Sequence, residues 1–71
     1  MLDVSALGSR IKMLREEKEI TQKEFALILH VSPQAVSNWE RAVSPPDLEN
    51  LMRISRLFSV SVDELLDNVS V

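Results

Sequence analysis

Seventy-one residues give room for one domain, near the lower limit at which a core supports itself. Apolar residues at 45% exclude a disordered tail, and the absence of cysteine excludes disulfide staples and thiolate metal sites. Eleven Asp and Glu against eight Lys and Arg leave a formal charge of −3, which argues mildly against a phosphate-bearing partner until the charges are placed along the chain. The longest apolar run, FALIL at residues 25–29, is too short to span a bilayer. The opening MLDVSALGSR lacks the basic and continuous apolar regions of a signal peptide. A soluble cytoplasmic protein that does not engage a membrane is the expectation.

Val4, Leu7, Ile11 and Leu14 share one stripe of a first helix, with Arg10, Lys12, Arg15, Glu16, Glu17 and Lys18 on its other faces. Ile20 leads into a stop and a restart at Thr21. Thr21-Gln22-Lys23-Glu24 fits a capping box, with Thr21 as N-cap and Glu24 reaching back. The second helix runs to about Leu29, with Phe25, Ala26 and Leu29 inward, and His30-Val31 makes the turn. Ser32 caps a third helix whose first residue, Pro33, needs no N–H there. Val36 and Trp39 share its inward face, which leaves Pro33, Gln34, Ser37, Asn38 and Arg41 outward. Trp39 is thereby assigned to the core rather than to base stacking.

The prolines of AVSPP (residues 42–46) make that stretch a loop. Asp47 caps a fourth helix with a stripe of Leu48, Leu51, Ile54 and Phe58. Val60 closes a turn, and Ser61-Val62-Asp63-Glu64 is a second capping box ahead of Leu65 and Leu66. One glycine and no cluster of β-branched residues agree with five helices and no strand.

In this order, the segments TQKEFA, VS, AVSNWE, a proline loop, LENLMRI and VSVDELL resemble the lambda-repressor-like helix-turn-helix family, of Cro/C1 or Xre type, over roughly residues 7–66. The resemblance implies an all-α, compact five-helix DNA-binding domain occupying residues 1–71 as a single unit. Its helix-turn-helix core lies at 21–41 and its fourth and fifth helices at about 47–67. In that family the third helix enters the major groove and dimers read paired half-sites. The matching positions make Gln34, Ser37 and Asn38 base-contacting candidates, and Gln22, Lys23, Ser32 and Arg41 phosphate-contacting candidates. Glutamine has the donor and acceptor to bridge adenine N6 and N7, and helix N-termini favour phosphate. The plainer alternative for these side chains is an ordinary polar surface, although this face carries no acid and no large apolar group. Arg15 and Glu40 match a partly buried ion pair between the first and third helices. The acids otherwise fall on late helix one, helix four and the C-terminal turn, so an acidic chain keeps a neutral-to-basic reading face.

Three departures from the family pattern stand out. His30 occupies a turn position that usually holds glycine; the alternative role for this histidine is a pH sensor. The loop after the third helix lacks glycine and, beyond Arg41, the usual basic residues, so fewer phosphate contacts and a shallow salt dependence are expected. Leu27 and Ile28 sit where relatives are polar, with Met13, Met52 and Leu57 as similar extras, which points to a protein contact. The tail DNVSV is either part of a dimer contact or a frayed end.

The leading reading is a sequence-specific double-stranded DNA-binding transcriptional regulator, a repressor, acting as a homodimer. The second reading is a protein-interaction module, antitoxin-like or partner-binding, that uses the Leu27/Ile28 face. An enzyme is not expected: one histidine, no cysteine and no glycine-rich phosphate loop supply neither a relay nor a metal site, and no cofactor is called for.

Overall fold

Side-chain capping sets where each helix begins. The computed structural model describes residues 3–66, and among them the elements are α1 (Val4–Glu17), α2 (Gln22–Leu29), α3 (Pro33–Glu40), α4 (Leu48–Phe58) and α5 (Val62–Leu66), with no strand. Asp3, Thr21, Ser32 and Asp47 each accept the backbone N–H three residues on, at 2.9–3.1 Å. At α2 the capping box closes in both directions, since the Thr21 N–H also donates to Glu24 Oε1 at 2.8 Å. Ser61 and Glu64 make the same reciprocal pair before α5.

The helix ends follow one rule as well. After α1 to α4 the chain turns through Glu19, His30, Ala42 and Ser59, all left-handed, with φ of 58°, 60°, 61° and 57°. The next residue in each case, Ile20, Val31, Val43 or Val60, donates its N–H back five residues, to Arg15, Ala26, Asn38 or Ser55. The left-handed residue itself bonds back three. These are four Schellman motifs built without glycine. Ile20, Val31 and Val60 fold back onto the core, whereas Val43 stays exposed.

Phe25 sits at the centre of the core. Trp39 meets it edge-on at 6.5 Å between ring centroids, and Phe58 lies 5.6 Å away on a tilted ring. Leu7 and Ile11 of α1, Ala26 and Leu29 of α2, Val36 of α3, Leu51 and Ile54 of α4, and Leu65 of α5 complete it. The helix α3 packs against both α1 and α2. Gly8 makes the α1–α3 approach close enough that a Cβ there would lie 2.3 Å from the Trp39 carbonyl oxygen.

Two expectations need correction. Leu48, expected in the buried stripe of α4, is 68% exposed. It lies in the first turn of α4, ahead of the buried Leu51, and Pro46, two residues earlier in the loop, is buried instead. Leu57, expected among the exposed apolar extras, packs against the core instead. Met13 and Met52 are exposed as expected. The tail DNVSV lies outside the described residues.

Candidate nucleic-acid interface

One carboxylate links the start of α2 to the end of α3. Glu40, at the end of α3, accepts from Arg15 Nε at 2.7 Å and Arg15 Nη2 at 3.1 Å, and from Gln22 Nε2 at 3.0 Å. The Glu40 side chain is 2% exposed and that of Arg15 10%. The hydrogen bond from Glu40 raises the Arg15 pKa above its ordinary value, against the opposing effect of burial. Arg15 Nη1 also donates to the Ile20 carbonyl at 2.7 Å, closing the α1 end. One buried pair therefore ties α1, the first turn of α2 and the last turn of α3 together.

That arrangement bears on Gln22. Its amide nitrogen is turned toward Glu40, so one N–H remains for another acceptor, while its carbonyl oxygen offers nothing to a phosphate. Lys23 is exposed in the same first turn. Ser32 uses its oxygen to accept from Ala35 N–H and keeps its hydroxyl hydrogen. Gln22, Lys23 and Ser32 thus stand at or beside two helix N-termini, where partial positive charge and unpaired N–H groups suit an anion.

On α3, Val36 and Trp39 are buried, which turns Gln34 outward and leaves Ser37 and Asn38 half-buried. These three and Arg41 form one hydrogen-bonded strip. Gln34 Nε2 and Arg41 Nη2 both donate to Asn38 Oδ1 at 2.9 Å, and Arg41 Nε donates to Ser37 Oγ at 3.0 Å. The strip carries a single formal charge, that of Arg41. By contrast, an open groove along α1 is lined by Ser9, Lys12, Met13, Glu16, Glu17 and Glu40, the wrong sign for phosphate.

Leu27 and Ile28 are exposed at 70% and 48% on the outer side of α2, with Val43, Leu48, Met13 and Met52 as further exposed apolar residues. His30 is exposed in its left-handed turn. Arg53, which sequence reasoning passed over, donates to the Leu29 carbonyl at 3.1 Å and pairs with Glu49 at 3.0 Å, so that α4 secures the C-terminal end of α2. Arg10 reaches the Glu64 carbonyl and joins α1 to α5. Neither the Arg53–Leu29 nor the Arg10–Glu64 contact has a local sequence signal, because each joins segments far apart in the chain. Among the described residues no helix is long and apolar enough to cross a membrane, and no acidic or histidine cluster could hold a metal ion.

Comparison with known proteins gives the same architecture. A helix-turn-helix family model matches residues 11–65. The HTH-type transcriptional activator BcrR of Enterococcus faecalis is 44% identical over 59 residues, covering 83% of this chain and 29% of its own length. The HTH-type transcriptional regulator ImmR of Bacillus subtilis is 42% identical over 67 residues, covering 92% of this chain and 53% of its own. The chain thus spans about half or less of these relatives. The crystal structure of the P22 c2 repressor in complex with a synthetic operator superposes with a TM-score of 0.82 at 35% identity, covering 89% of this chain and 96% of that one.

Proposed function

The chain belongs to the helix-turn-helix family, and on that premise we propose that it is a sequence-specific double-stranded DNA-binding transcriptional regulator, a repressor. Residues 1–71 act as one domain, α3 reads the major groove, and a homodimer presents two copies of α3 to paired half-sites. The observation that carries this reading is the outward face of α3: Gln34, Ser37 and Asn38, without an acid, on a helix fixed from behind by Val36, Trp39 and the Arg15–Glu40 pair. Gln34, Ser37 and Asn38 contact bases; Gln22, Lys23, Ser32 and Arg41 contact phosphate. The likeness to a repressor seen on its operator supports this assignment. The same reading keeps the expectation of a cytoplasmic protein and assigns it no catalytic task.

Competition binding with Gln34→Ala tests the reading. The variant should lose about 1–3 kcal/mol on the preferred duplex while binding random duplex as the wild type does. Equal losses on both duplexes would remove Gln34 from the reading set.

The exposed pair Leu27 and Ile28 favours a second reading, a surface for a partner protein. Under it, Leu27→Lys with Ile28→Lys abolishes assembly and leaves the helical circular dichroism intact. A wild type that stays monomeric and captures no partner rules it out.

A further inference from the structure

The polar side chains of α3 are hydrogen-bonded to one another before any partner arrives, and the direction of those bonds is dictated by chemistry. A guanidinium can only donate, so the Asn38 atom that meets Arg41 Nη2 at 2.9 Å has to be the amide oxygen. Gln34 meets that same oxygen at 2.9 Å, so its amide has to turn the nitrogen inward. Arg41 is itself anchored one turn back by Ser37 Oγ. A single cation therefore orients two neutral amides in series, each of which would otherwise be free to flip.

What remains for a ligand follows from this polarity. Asn38 Oδ1 already accepts twice, which fills its two lone pairs, whereas Nδ2 keeps both hydrogens. Asn38 becomes a donor-only group. In the major groove, guanine offers two acceptors and thymine offers O4, whereas cytosine offers only an amino donor and adenine sets its amino donor beside its one acceptor, N7, against the two hydrogens of Asn38. Gln34 retains its oxygen and one hydrogen, an acceptor beside a donor, which is the complement of adenine N6 and N7.

We propose that Arg41 is a positioning residue for specificity. By fixing the amides of Asn38 and Gln34, it selects guanine or thymine opposite Asn38 and adenine opposite Gln34. The inference rests on the major-groove reading above and departs from a purely phosphate-contacting role for Arg41. Losing a phosphate contact lowers affinity for every sequence alike and reduces the salt slope by about 1. A positioning contact changes which bases are preferred.

The test selects bound duplexes from a random pool with wild type, Arg41→Ala and Arg41→Lys, each first shown to be folded by circular dichroism and thermal melting. Lysine keeps the charge and, having only donors, can serve Asn38 Oδ1 in the same sense. Wild type should favour an acceptor-edged base at one position and adenine at a second, each by about fivefold to a hundredfold, the range of one bidentate pair. Arg41→Ala should lose most of that discrimination at these two positions and keep it elsewhere in the site, and Arg41→Lys should restore it. An Arg41→Ala protein that binds more weakly with unchanged base preferences overturns the positioning role and leaves the DNA reading standing. If wild type enriches no motif, the specificity role of Arg41 falls together with the DNA reading. The side-chain amide resonances of Gln34 and Asn38 in the free protein give a DNA-independent check: they should shift in Arg41→Ala, and unchanged resonances would refute the relay.

Discussion

Replacing Gly8 by alanine sets two effects of opposite sign against each other. Within a helix, alanine is favoured over glycine by about 1 kcal/mol, so a helix that merely tolerates its glycine should gain stability. Gly8 lies inside α1 against the end of α3, and a Cβ there would sit 2.3 Å from the Trp39 carbonyl oxygen and 3.1 Å from that of Glu40. Both are backbone atoms and have no rotamer by which to withdraw. Reaching an ordinary contact requires α1 and α3 to part by about 1 Å, which loosens a close-packed core. Overpacking of this kind costs about 1–3 kcal/mol, and a backbone clash belongs at the upper end. After the propensity gain, a net loss of about 2 kcal/mol is expected. In a domain of this size each kcal/mol moves Tm by about 4–8 °C, so the midpoint should fall by about 8–16 °C. Thermal melting followed by circular dichroism measures this directly. Because the displaced end of α3 carries Asn38 and Arg41, affinity for a preferred duplex should fall in folded protein as well. A Gly8→Ala protein that melts at or above the wild-type temperature would refute the close-packing argument.

Glu40→Ala leaves Arg15 buried with only the Ile20 carbonyl and should cost about 3–5 kcal/mol, against a total stability on the order of 4–10 kcal/mol for this length. Urea midpoints should show this, and Arg15→Met combined with Glu40→Leu should cost less than Glu40→Ala alone. His30→Gly and Ala42→Gly relieve left-handed strain of about 1–2 kcal/mol and add about 0.5–1 kcal/mol of unfolded-state entropy. Each should raise stability by about 0.5–1 kcal/mol in urea titrations, and a loss at either position would contradict its left-handed turn. The Ser61 backbone N–H, and then the Ser61 hydroxyl, hold the Glu64 carboxyl below its ordinary pKa. With the folded value depressed, this contribution is complete above the ordinary glutamate range near ~4.3 and is lost as pH falls through the folded value. Wild type should therefore lose more stability than Glu64→Gln between about pH 6 and about pH 3, and parallel losses would exclude the cap as a source of acid sensitivity.

Much of this fold was legible because its signals are local. Thr21 with Glu24, and Ser61 with Glu64, announce helix starts by chemistry confined to four residues. The three-residue spacing of Val36 and Trp39 fixes the phase of α3, and with it the side on which Gln34 must lie. Contacts between distant segments were not legible in that way. Nothing near Gly8 in the sequence says that the carbonyls of α3 press against it, and nothing near Arg53 points to the Leu29 carbonyl. Leu48 misled for the related reason that helical periodicity continues past the edge of the core into the first exposed turn. The Arg15–Glu40 pairing came from family resemblance, since charges at 15 and 40 carry no local register of their own. The strip on α3 lies between these cases. The spacings of 34 to 38 and 37 to 41 are one helical turn, but the direction of the bonds emerges only once Arg41 is seen meeting Asn38.

Selection of bound duplexes from a random pool, at low and moderate salt, tests the central claim most directly. Reading by α3 in a homodimer predicts an enriched inverted repeat whose half-site centres lie about 10 base pairs apart or a multiple of that. The salt dependence should be shallow, because few cations line the face. A folded protein that enriches no sequence, or whose enriched sequence is equally favoured by Gln34→Ala, would contradict it.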